Sequence, residues 1–180
     1  MKGMVTTMSS ISLLGTANST LTASYYLGKY YTGNRTLKSS SGRKDVANSI
    51  LLSNDSSAFK KFLRDIKKTD MSTLKYDDKA TNLKNKVSAF VSVYNNFVSS
   101  CGKSTDHYNT NRITNIKKLT KSQKQAFEDI GITINKDSSL ELNAEKLKKA
   151  DIDNVSSIFS KDSDYIKGLT KYTSRINITV

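Results

Sequence analysis

From residue 55 onward, apolar residues recur every three or four positions, the period of one helix face packed on a core. The most regular stretch starts at Ala80. Leu83, Val87, Phe90, Tyr94, Phe97 and Cys101 follow it at steps of 3, 4, 3, 4, 3 and 4, an uninterrupted seam of three heptads. It predicts a helix capped by Asp77 or Asp78 and ended by Gly102. Upstream, Phe59, Phe62, Leu63 and Ile66 predict a helix over 56–69 with Asp55 as its N-cap. Lys60, Lys61, Arg64, Lys67 and Lys68 lie opposite that stripe or at its end, and the stretch from Val46 to Leu52 also reads as helical. Downstream, Ile113, Ile116, Leu119, Ala126, Phe127 and Ile130 make a further stripe, broken by polar Gln123, stopped by Gly131, and expected to run antiparallel to its predecessor.

At Ile132 the period changes to two. Ile132 and Ile134, then Leu140 and Leu142, flank the turn residues Asn135 to Ser139, which predicts a small β-hairpin over about 132–142. Three short helices close the chain. Asn143 caps one with Leu147 inward; Asp153 caps another bearing Val155, Ile158 and Phe159; Asp162 or Ser163 caps the last, which carries Tyr165, Leu169, Tyr172 and Ile176.

The first 41 residues break this regularity with 8 Ser and 7 Thr. Ordering that many backbones costs ~40–80 kcal/mol, whereas burying its larger apolar residues returns only ~20–40. The expectation is a flexible Ser/Thr-rich tail over 1–41 and a helical domain over 42–180. The predicted fold class is therefore mainly α, a helical bundle with one small inserted hairpin. The absence of proline permits long helices throughout.

Composition narrows the chemistry. The 180 residues suit one domain rather than two, and the 36% apolar content is low for a fully packed chain. Twenty-nine Lys and Arg against 16 Asp and Glu give a net charge of +13, so an acidic protein surface, nucleic acid or a polyanionic envelope is a plausible neighbour. That charge is spread along the chain rather than held in one arm. A single cysteine, Cys101, and a single histidine, His107, exclude an intrachain disulfide and Cys/His zinc spacings; no metal or cofactor is expected. No apolar run approaches the ~18 residues of a membrane span, and polar residues interrupt the pattern of a cleaved signal peptide.

Several features have both a structural and a functional reading. The seam from Leu83 to Cys101 could pair two chains, but three heptads are short, and an intramolecular bundle fits better. Tyr165 and Tyr172 suit core packing more than an interface. Cys101, Asp106 and His107 lie close in sequence, yet Cys101 continues the apolar seam and His107 sits in a polar loop, so a thiol–imidazole nucleophile is disfavoured. With no carboxylate pair or glycine-rich phosphate loop, the chain does not read as an enzyme. The basic stretches at 60–68 and 117–124 read as solvated helix faces, since no aromatic residues interleave them for base stacking. Tyr25, Tyr26, Tyr30 and Tyr31 form an apolar cluster in the polar tail, which either folds on a partner or has no role.

The run from Asp129 through Gly131-Ile132-Thr133-Ile134-Asn135-Lys136-Asp137, Leu140-Glu141-Leu142-Asn143, Lys146-Leu147, Val155 and Ile158-Phe159-Ser160 resembles the C-terminal region of the flagellar filament-capping protein family, the second hook-associated protein. The preceding Phe90-Val91-Ser92-Val93-Tyr94-Asn95 is similar to that family's Phe-Val-x-x-Tyr-Asn run, and the resemblance covers about residues 83–162. It departs at the hairpin turn. Where the family commonly has Asp-Gly, this chain has Asp137-Ser138-Ser139, so the turn must reach positive φ without glycine or use a longer loop.

The resemblance implies a structural, non-catalytic assembly protein, either a working cap or a shortened, diverged paralogue. Such a protein is exported without signal cleavage and resides in the flagellum or the medium. Its implied partners are further copies of itself, as a homo-oligomer, and flagellin-like or hook-associated proteins. The candidate partner contacts are Leu83, Val87, Phe90, Tyr94, Phe97, Tyr165, Leu169 and Tyr172. The alternative is a small basic cytosolic module whose lysine faces contact nucleic-acid phosphates.

Overall fold

Phe90 lies where the apolar stripes of the chain converge. The computed structural model describes residues 17–76 and 83–176, with side chains from Ser24 onward. The seam helix α3 spans Leu83–Gly102 and places Phe90 at full burial, its ring 5.0–6.3 Å from those of Phe62, Tyr94, Phe127, Phe159 and Tyr165. Such offset and edge-to-face pairs each contribute ~0.5–1.5 kcal/mol beyond the area they bury. Two further helices, α1 (Ala17–Tyr30) and α2 (Asn48–Lys68), pack on α3. Next come α4 (His107–Ser122) and α5 (Lys124–Asp129), separated at Gln123, the polar residue that interrupts their shared stripe. The terminal helix α8 (Asp164–Ser174) lies against both α4 and α2. Gly168 faces α4, where a Cβ would come 2.5 Å from Leu119 Cδ2, the tip of a half-buried side chain that must turn aside to admit it.

The chain is thus a mainly α bundle with one two-stranded antiparallel hairpin. Strands β1 (Ile132–Ile134) and β2 (Leu140–Leu142) pair Ile132 with Leu142, Thr133 with Glu141 and Ile134 with Leu140. Ser138 supplies the positive φ that the turn requires, at 71°, and Asp137 Oδ1 accepts from the amide and hydroxyl of Ser139 at 2.9 and 2.7 Å. Gly131 enters the hairpin at φ 84°, where a Cβ would meet Asn143 O at 2.8 Å. Two short helices follow. Asn143 caps α6 (Ala144–Lys149) by accepting from Lys146 N, as the sequence predicts. The cap of α7 (Ile152–Phe159) is Asp151 rather than Asp153, two residues earlier.

Two further expectations are corrected. Asp55 is not a cap: α2 runs unbroken from Asn48, and Asp55 lies inside it, fully buried. Nor is the whole of 1–41 a flexible tail. Residues 17–30 form α1, 35–38 form a 3-10 turn, and Tyr30, Tyr31 and Leu37 are 4%, 1% and 0% exposed in the core. The segment orders because, beyond the apolar area they bury, the two tyrosines bring hydroxyls to the buried carboxylate of Asp55 and the partly exposed one of Asp65. Residues 1–16, the predicted caps Asp77 and Asp78, and the seam's start at Ala80 lie outside the described residues.

Candidate functional site

The residues expected to touch partners are mostly interior. Leu83, Val87, Phe90, Tyr94, Phe97, Tyr165 and Leu169 are all 4% exposed or less, and only Tyr172 is half-buried at the edge of the core. Among the described residues the seam packs as the intramolecular bundle that its short length favours, with no face left open for a second copy. Phe59, Phe62, Phe127 and Phe159 from the same chain fill the space a second copy would occupy. Burial pushes the Tyr94 hydroxyl up to about 12 and Tyr165 well above the ordinary tyrosine value.

Asn95, one residue on from Tyr94 in the same run, faces the hairpin. Its Nδ2 donates to Leu140 O at 2.8 Å and its Oδ1 accepts from Leu140 N at 2.7 Å. Both backbone groups of that β2 residue are satisfied by one side chain, which clamps the hairpin to α3. From the other side, Tyr76 Oη donates to Ala144 O at 2.8 Å and holds the start of α6.

Two polar clusters strap the N-terminal segment down. Arg43 forks onto Asp55 through two 2.7 Å bonds, Tyr31 Oη donates to Asp55 Oδ1 at 2.8 Å, and Asn96 Nδ2 donates to Tyr31 Oη at 2.8 Å. A buried carboxylate costs several kcal/mol unless paired and fully hydrogen-bonded, which this one is. Beside it, Tyr30 Oη and Lys86 Nζ both donate to Asp65 Oδ2, at 2.8 and 2.9 Å. Burial acts to raise the Asp65 carboxyl, but these two donors outweigh it and hold it below the usual carboxylate range. Desolvation and the neighbouring carboxylates raise both tyrosines.

Cys101 and His107 each have another partner. The thiol is buried at 1% exposure, contacts Asn109 O at 3.8 Å, and is pushed up to about 12 by burial. The His107 ring pairs with Asn111 Nδ2 at 3.0 Å on the exposed start of α4. Among the described residues no cluster of three or more His, Cys, Asp or Glu is placed to hold a metal, and no helix is long and apolar enough to cross a membrane.

The basic stretch of α2 proves to border a groove that sequence reading does not locate. Ser57, Lys60, Leu63, Arg64 and Lys67 line it from α2, and Thr170, Thr173 and Ser174 from α8, enclosing about 330 Å³. Leu63 and Thr173 are its buried members, and Thr173 Oγ1 makes no hydrogen bond among the described residues. Lys60 is half-buried, and burial lowers its pKa. The i, i+4, i+7 spacing of the three cations is legible in the sequence; the second wall, more than one hundred positions away, is not.

Comparison with known proteins returns no matching family model, curated protein or solved structure.

Proposed function

We propose that the chain is a non-catalytic assembly module of the flagellar filament-cap kind, which works by binding other polypeptides. The observation that carries this reading is the clamp of Asn95 on Leu140. It joins the two parts of the resemblance, the Phe-Val-x-x-Tyr-Asn run and the Gly-Ile hairpin, into one packing unit. Because the α3 seam is spent on the interior, subunit association must use surface residues; among the described residues Tyr25, Ile50 and Tyr108, at 60%, 47% and 70% exposure, are the large apolar side chains available there. Flagellin-like proteins, hook-associated proteins and further copies of the chain are the partners this reading names.

The test is fractionation of a producing culture with an antibody to the chain. Full-length, uncleaved protein in the medium or on filaments is the expected result, and protein confined to the cytosol on nucleic acid overturns it. One observation favours that second reading: α4 carries Arg112, Lys117, Lys118 and Lys121 with no acidic residue. A nucleic-acid module loses affinity steeply between low and physiological salt as counterions are released.

A further inference from the structure

Lys60, Arg64 and Lys67 stand along one edge of α2 over two helical turns, about 10.5 Å from first to last. None of the three makes an ion pair or hydrogen bond among the described residues, whereas the more deeply buried cations Arg43 and Lys86 are both paired. No acidic residue lines the groove they border. Across it, Lys171 and Arg175 at the exposed end of α8 add to the positive field. Leu63 and the threonine side chains give the groove an apolar interior, beside the unpartnered hydroxyl of Thr173. Its volume is at the small end of ligand clefts, which run ~300–1,000 Å³, and admits a side chain or two rather than a large cofactor.

We infer that the groove between α2 and α8 docks an acidic amphipathic helix of a partner protein, whose carboxylates meet Lys60, Arg64 and Lys67 while an apolar side chain enters over Leu63. Carboxylates at i, i+4 and i+7 of a helix share one face and repeat the spacing of the three cations. A nucleic acid fits less well, because no aromatic ring lines the groove for a base to stack on. A counter-charge at Lys60 also relieves what burial does to its ammonium. The inference rests on the reading of the chain as a polypeptide-binding module but not on export, so protein found only in the cytosol leaves it standing.

The experiment measures fluorescence anisotropy with a labelled helical peptide of about five turns, carrying Glu at i, i+4 and i+7 beside a leucine stripe. The same peptide with Gln for Glu and a short DNA duplex are the comparison probes. The full chain is compared with the triple variant K60Q/R64Q/K67Q and with K146Q/K148Q/K149Q on exposed α6, which loses the same charge elsewhere. Circular dichroism confirms that both variants keep their helices. The full chain should prefer the Glu peptide by at least about tenfold, the groove variant should lose that preference, and the α6 variant should keep it within about threefold. Equal weakening in both variants, no binding of the Glu peptide, or tighter binding of the duplex overturns the inference.

Discussion

Asn95 illustrates how much one side chain can decide. Its amide satisfies both backbone groups of Leu140, so Asn95→Leu strands a donor and an acceptor in a partly buried place. Leaving such groups unpaired costs about 1–3 kcal/mol each, and the variant should lose about 2–6 kcal/mol in urea unfolding with an unchanged slope. Faster amide exchange at Leu140 than at α3 amides would distinguish release of the hairpin from general loosening. The sequence displays Asn95 only as the end of a resembled motif; its partner is 45 positions away. The Tyr30 and Tyr31 hydroxyls were equally illegible. As letters the tyrosines read as an apolar cluster, and the carboxylates that receive them lie 35 and 24 positions downstream. Asp55 misleads for the same reason: in sequence it suits a helix start, but a half-buried arginine and a buried tyrosine pair it inside one.

Among the elements, those with strict periodicity are legible to within a residue or two. From Leu83 to Gly102 the α3 seam, like the hairpin strands, stands where its spacing puts it, because each period has one face to bury. Ends chosen by a single polar side chain are harder to place, as Asp151 against Asp153 shows: both suit a cap, and it is Asp151 that accepts from the Asp153 amide. The hairpin turn meets its need for positive φ with serine. An L-residue in that left-handed conformation costs ~1–2 kcal/mol, part of which glycine returns as greater unfolded-state freedom. Ser138→Gly should therefore raise stability by about 0.5–1 kcal/mol in thermal and urea unfolding. A loss would mean that the Ser138 side chain contributes more than its backbone costs.

For the molecule as a whole, the ring cluster around Phe90 and the buried Cys101 predict sensitivity to alkali. Burial raises Cys101 and Tyr94 to about 12 and the Tyr30, Tyr31 and Tyr165 hydroxyls as well. In the unfolded chain the thiol ionises near pH ~8.5 and the phenols near ~10. Above those values the unfolded state binds fewer protons than the folded one, so stability falls as pH rises. What these groups contribute is fully present below pH ~8 and declines by about 1–2 kcal/mol between pH ~8.5 and ~10 from Cys101 alone. Urea midpoints at pH 7, 9 and 10 measure it, and Cys101→Ala should flatten the first part of the decline. The net charge that frames any partner was legible at once, but the groove was not, since it exists only where α2 and α8 meet. The position of α8 is set in turn from its other side. At Gly168 a methyl group needs only the tip of Leu119 to turn aside, and anything larger must push the helix itself. A bulky residue at 168 acts as a wedge: it tilts the helix about its middle and changes the width of a cleft it never touches, giving a remote handle on whatever occupies that cleft.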